Sequence, residues 1–213
     1  MMETLKQLFH AITDVEGIIG AGGTLLVSAI VFVETGLFVG FFLPGDSLLV
    51  TAGVFAAKGD LNVVTLLVSC VLCAIVGDQL GYAIGRRAGK TLYNRPDSRV
   101  FKRKHLERTQ AFYEKHGPKT IVLARFVPVV RTFAPAVAGA AEMNYRKFLT
   151  YNIAGGSLWV VSMVLLGYYL GRLVPNIDRN IHYVIVIVIA LSFVPPVIEI
   201  LRERRKSVAG TRL

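Results

Sequence analysis

The sequence predicts an all-α membrane protein built as an inverted repeat. Each repeat is a re-entrant hairpin plus a transmembrane helix, giving about four full spans and two re-entrant hairpins. Three observations predict this. Apolar stretches reach about twenty residues, the length that crosses a bilayer, in a chain of 213 residues that is 54% hydrophobic and 18% charged. Two further apolar runs are broken by proline and carry charges. Short sequences also recur at an offset of 86 residues.

Residues 1–17 form an N-terminal segment without the basic start of a secretory leader, so the first apolar run, 18–33, reads as an uncleaved span. A broken run follows, in which Glu34 and Asp46 flank a hairpin break at Pro44 and Gly45. The second span covers 63–86. Its series Gly77, Gly81, Gly85 and Gly89 has the four-residue spacing that permits close helix contact, and Asp78 beside it reads as a packing or hairpin-anchoring residue. Cys70 and Cys73, three apart on one helix, read as small apolar side chains without a bridge.

The connection 87–119 is basic, with ten Lys or Arg against three Asp or Glu, and its residues 98–116 have the loose apolar spacing of a surface or linker helix. Then comes the second broken run, 120–141, which contains RFVPVVRTFAP at 125–135. An uncompensated arginine at the bilayer centre costs roughly 2.5 to 3.5 kcal/mol, and charge at that depth points to function. Arg125 and Arg131 are the candidates, and Pro128 and Pro135 are the breaks. A span at 148–170 carries Asn152, expected to satisfy hairpin backbone groups, and Trp159, expected to pack. The last span is 181–200, followed by a basic tail, 202–213, with five Lys or Arg against one acid.

The positive-inside rule places the basic connection and the tail in the cytoplasm. The connections near Lys58-Gly59-Asp60 and at 175–180 then lie outside, and counting crossings leaves the N-terminus inside. The net charge of +10 also raises nucleic acid as a partner. Basic residues beside spans, without a recognition motif, fit anionic headgroups instead.

The repeat rests on Gly81-Tyr82-Ala83-Ile84-Gly85-Arg86, which recurs as Gly167-Tyr168-Tyr169-Leu170-Gly171-Arg172, and on Ala52-Gly53, which recurs as Ala138-Gly139. The halves are about 34–89 and 120–172. With both broken runs re-entrant, the second GYxxGR ends outside and the halves are inverted. Irregular backbone at membrane depth is tolerated where protein buries it or water reaches it, so the hairpin tips are expected to meet near the midplane.

In a continuous helix Arg125 and Arg131 would point about 120° apart and lie about 9 Å apart along the axis. Pro128 can bend the chain until both guanidiniums face one group. Paired arginine forks suit a phosphate or carboxylate. Glu34 and Asp46 would be about 18 Å apart if helical, and only the Pro44-Gly45 break brings them together. Burial favours a protonated carboxyl and a nearby arginine favours the ionised form. The acids are therefore expected to pair with the arginines and to take protons when an anion displaces them. A structural lock of mutually neutralising charges is the alternative.

Enzyme chemistry finds no support. His10, His105, His116 and His182 lack metal-ligand spacing. Lys90 and Arg95-Pro96 partly match the opening of a lipid-phosphatase signature whose nucleophilic histidine is missing. No metal or cofactor is expected beyond a proton gradient.

Glu34, the FxPG(D/E) element at 42–46, GDQLGYAIGRRAG at 77–89, ARFVPVVRTFAPAVAG at 124–139, and Asn152 with Gly155-Gly156 and Trp159 together resemble the DedA family, which carries the VTT, or SNARE-associated, domain. The resemblance covers roughly 30–172 and places residues 18–201 in one such domain. It implies re-entrant hairpins and lipid translocation. Bacterial members include flippases for undecaprenyl phosphate and others handling phosphatidylethanolamine, and eukaryotic relatives scramble phospholipids. It also implies that Glu34, Asp46, Arg125 and Arg131 are essential, with the acids linked to proton coupling.

The sequence is thus expected to encode a multi-pass carrier of the cytoplasmic membrane that flips undecaprenyl phosphate or another phosphate-bearing lipid. Arg125 and Arg131 would bind phosphate, and Asp78 and Asn152 would support the site. The alternatives are a phosphatidylethanolamine or general phospholipid flippase or scramblase, a proton-coupled carrier of small soluble anions, and a non-transporting scaffold. The glycine faces allow a homo-oligomer.

Overall fold

The computed structural model describes residues 15–37, 45–93, 121–122, 125–126 and 128–173. Among them the chain forms five α-helices and no strand: α1 (Val15–Gly36), α2 (Gly45–Lys58), α3 (Val63–Tyr93), α4 (Pro128–Ala140) and α5 (Tyr145–Leu173). Three stretches are long and apolar enough to cross a membrane, Ile19–Gly36, Val63–Gly89 and Tyr145–Leu173. The chain is an all-helical membrane protein. Pro44, residues 94–120, the expected span 181–200 and the tail 202–213 lie outside the described residues.

Local chemistry sets the helix ends. Asn62 Oδ1 accepts the backbone N–H groups of Val64 and Thr65 at 3.0 Å each, capping α3. Asn144 does the same for α5, accepting from Arg146 and Lys147 at 3.1 and 3.3 Å. The short helices close alike. Gly59, at φ 94°, donates to Ala56 while Asp60 donates to Phe55. At the end of α4, Glu142, at φ 53°, donates to Gly139 while Met143 donates to Ala138. Both are Schellman endings, the second without the usual glycine. Each half therefore reads short helix, Schellman turn, asparagine cap, long helix.

The basic residues at the end of the second span do not begin a loop. α3 continues through Arg86, Arg87 and Lys90 to Tyr93. Positive charge suits a helix C-terminus, and the nearest helix breaker, Pro96, lies beyond it.

Contacts fix the directions. Gly23 of α1 lies at the level of Leu61, Ser28 donates to Ser69 Oγ at 2.9 Å, and Gly36 abuts Gly77 near the middle of α3. α1 and α3 therefore run in the same direction. α5 runs against α3, with Asn152 bonded to Ile75 and Phe148 stacked on Tyr82. α2 follows α5 (Val50 at Gly167, Val54 at Gly171), and α4 follows α3 (Ala136 at Gly85, Ala140 at Gly89).

The apolar helix expected at 18–33 is present, but its direction relative to α3 is the reverse of the one that counting crossings gave. α1 starts at the end of the bundle where α2 finishes, opposite the basic end formed by Arg86, Arg87, Arg146 and Lys147. Hydropathy measures the length of an apolar helix and carries no information about its direction.

The register of the repeat also needs correction. Val50 and Ala136, 86 apart in sequence, make equivalent contacts, but their partners Gly167 and Gly85 are 82 apart. The asparagine caps, Asn62 and Asn144, share that 82-residue offset. The links 59–62 and 141–144 are equally long, so the four missing residues fall at the end of α4, which closes one turn earlier after Ala136 than α2 does after Val50. GYxxGR thus recurs one turn away from its contact equivalent.

The main core joins Val27 and Val31 of α1, Leu48, Leu49 and Ala52 of α2, Leu66, Cys70 and Ala74 of α3, and Trp159, Val160 and Val164 of α5. Both cysteines are free thiols. Val64, Val68, Leu72 and Val76, four residues apart, stay exposed on the outer face of α3, which suits contact with lipid chains.

Candidate functional site

Asp78 is the central residue of the 31-residue α3, and Trp159 that of the 29-residue α5. At this level begin α2 and α4, with 14 and 13 residues each about half as long. They run in opposite directions, so two helix N-termini with their positive dipole ends meet mid-way along α3 and α5. Asp46 lies in the first turn of α2, where negative charge is favourable. Arg131, the fourth residue of α4, lies where a cation is unfavourable unless acids surround it.

Acids do surround it. Arg131 donates through Nη1 to Asp46 Oδ1 at 2.5 Å and through Nη2 to Glu34 Oε1 at 2.6 Å. Its guanidinium lies 4.8 Å over the Trp159 ring, whose Nε1 donates to Asp46 Oδ1 at 2.8 Å. The Glu34 side chain is 1% exposed and that of Arg131 10%. Glu34 Oε2 has no partner among the described residues and lies against Gly45, where a Cβ would overlap it. Two carboxylates around one guanidinium carry a net charge of −1 when all three are ionised.

Arg125 belongs to a second cluster. It lies in the turn before α4, buried at 4% exposure. Its Nη2 bonds Asp78 in an ion pair and donates to Asn152 Oδ1 at 2.5 Å. Asn152 Nδ2 in turn donates to the Ile75 carbonyl of α3 at 3.2 Å. Gly155 and Gly156 make room for the Arg125 side chain, since a Cβ on Gly155 would lie 3.2 Å from its Cδ and one on Gly156 3.3 Å from its Nη2. This cluster is neutral.

Glu34, Asp46 and Arg131 are thus brought together, and Gly45 opens α2 beside them. The two arginines serve separate partners, and the acid that meets Arg125 is Asp78. Pro128 opens α4, a position where its missing N–H costs nothing. Pro135, expected as a break, lies inside α4 with its ring against Gly81. It cannot donate to the Arg131 carbonyl, which loses its ordinary helical partner. Asn152 joins a side chain to the backbone of a long helix, where a hairpin partner had been expected. Sequence reasoning missed Trp159 as a ligand of the charged cluster. Its place at the centre of an apolar helix, one helical turn beyond Gly155, was the available signal.

Comparison with known proteins places this geometry in a family. Residues 43–169, more than half of the chain, match the VTT domain. Protein DedA of Escherichia coli (strain K12) is 49% identical over 185 residues, covering 86% of this chain and 84% of that one. The chain belongs to the DedA family. Another similar protein is an uncharacterized membrane protein of Mycobacterium leprae (strain TN), 42% identical over 183 residues, 86% of this chain and 82% of the relative. Inner membrane protein YqjA of E. coli (strain K12) is 34% identical over 177 residues, 80% of each chain. No solved structure matches this DedA-family chain.

Proposed function

We propose that this DedA-family protein carries a phosphate-bearing lipid between leaflets, with undecaprenyl phosphate as its leading cargo, and is a carrier rather than an enzyme. The supporting observation is the meeting of two half-length helix N-termini at Arg131, mid-way along α3 and α5. Helix N-termini favour anions, and broken helices that present such ends at the bilayer midplane are a recurrent transporter design. In this reading α1–α2 and the run through 121–140 are re-entrant hairpins of an inverted repeat in the inner membrane, with the basic end in the cytoplasm.

Arg131 exchanges its two carboxylates for phosphate. One proton taken up by Glu34 or Asp46 neutralises the resting cluster, and two free the guanidinium for the anion. Proton uptake and cargo binding are thereby linked. Arg125 serves as a second phosphate clamp once its pair with Asp78 opens, and Asn152 supports it in the resting state.

The test is leaflet-resolved movement of labelled undecaprenyl phosphate in proteoliposomes with an imposed pH gradient. Flux is expected in the native protein and lost in Arg131→Ala and Glu34→Gln. Unchanged flux in Arg131→Ala would sink the site. Uptake of soluble anions without lipid movement would favour a solute carrier, and activity in neither assay a scaffold.

A further inference from the structure

A second polar feature lies outside both charged clusters. A cavity of about 460 Å³ is lined by Gln79, Tyr82, Ala83, Arg86, Arg87 and Tyr145, within the range of about 300–1,000 Å³ typical of small-molecule pockets. It follows α3 from the residue after Asp78 toward the basic end, about 12 Å along the axis.

The walls are of two kinds. Tyr82 stacks on Phe148 with ring centroids 4.5 Å apart and meets Tyr145 at 5.8 Å, making a rigid aromatic side. Its hydroxyl donates to the Met143 carbonyl at 2.5 Å, which ties this wall to the turn before α5. The other side carries the exposed side chains of Arg86 and Arg87. Both polar atoms of the Gln79 amide are buried without a partner among the described residues. A buried amide in that state is costly and awaits a ligand group or water.

We infer that this cavity binds a phosphate group at the basic end of the molecule, as a subsite separate from the Arg131 cluster. Arg86 and Arg87 supply charge-assisted hydrogen bonds, Gln79 supplies an amide donor, and the tyrosine rings cover the apolar atoms attached to the phosphate. The choice of phosphate rests on the proposed cargo. The location rests on the cavity alone.

The test is titration of the full-length protein in detergent, away from bulk phospholipid. The probes are dihexanoyl phosphatidic acid, inorganic phosphate and uncharged dihexanoylglycerol. Binding of the phosphatidic acid is expected to weaken about ten-fold or more in the double variant R86Q/R87Q, the scale of one lost charge-assisted hydrogen bond. It is expected to persist in R131A. Ala83→Trp fills the cavity without removing charge, and it carries the test should the double variant fail to fold.

Displacement by inorganic phosphate would assign the site to free phosphate. Retention of the lipid against inorganic phosphate would assign it to a headgroup. Native affinity in both R86Q/R87Q and A83W, or equal binding of dihexanoylglycerol, overturns the inference. Loss of binding in R131A alone would also overturn it, while leaving the proposed transport site standing.

Discussion

Gly45 and the carboxylate of Glu34 adjoin so closely that no side chain fits between them. The glycine at the start of α2 therefore shapes the site as much as the charges do. Any larger residue must push Glu34 off Arg131, because Glu34 is buried and has no other route. Gly45→Ala is expected to lower the melting temperature in detergent and to lose lipid flux to the level of Glu34→Ala. Native flux in Gly45→Ala would show that the Glu34–Arg131 contact is dispensable.

The Arg125–Asp78 pair lies in apolar surroundings, where removing one partner leaves an uncompensated charge costing about 3–5 kcal/mol. Asp78→Leu or Arg125→Met alone should lower resistance to unfolding in sodium dodecyl sulfate on that scale. The double variant should recover most of it. A double-mutant cycle with no coupling would contradict the geometry.

Trp159 is the single tryptophan of the chain and touches both Arg131 and Asp46. Its fluorescence should therefore change when a phosphate-bearing lipid is added, and the change should vanish in Arg131→Ala. Trp159→Phe keeps a ring under the guanidinium but removes the hydrogen bond to Asp46. A loss of about 1 kcal/mol in cargo affinity is expected, readable by lipid titration of flux.

Gly167 meets the Val50 backbone with no room for a Cβ. Gly167→Val must separate α2 from α5, and its cost should exceed the roughly 1–3 kcal/mol of ordinary overpacking. A methyl group on Gly20 would meet nothing within 4 Å, so Gly20→Ala should leave the melting temperature unchanged. Comparable losses in the two variants would argue against the α2–α5 register.

Glu142 holds a left-handed conformation, φ 53°, on the surface. Glu142→Gly relieves that strain and should stabilise the turn by about 1 kcal/mol. A higher melting temperature in detergent is the readout.

Residue type and spacing made the membrane class, the broken runs and the charged residues legible before any coordinates. Charge in apolar sequence has few explanations, so Glu34, Asp46, Arg125 and Arg131 stood out. Their pairing did not, because it depends on where α2 and α4 start relative to α3 and α5. Asp78, on a glycine-lined helix face, reads from sequence as a packing or hairpin-anchoring residue, and its carboxylate pairs with Arg125 in the turn before α4. The direction of α1 was likewise hidden. The 86-residue offset joins residues with equivalent contacts in α2 and α4, whereas those in α3 and α5 lie 82 apart, a difference that sequence hid because a shift of four residues keeps nearly the same helix face.

The reciprocal packing, α2 against α5 and α4 against α3, bears on how the chain is made. α2 leaves the ribosome long before α5 exists, carrying the buried Asp46 without either Arg131 or Trp159 beside it. The first half must wait in the membrane, half-paired, until the second arrives to lock it. Late assembly of this kind makes α2 the helix most in need of an insertion factor, and truncation before α5 should leave a membrane-bound chain that is rapidly degraded.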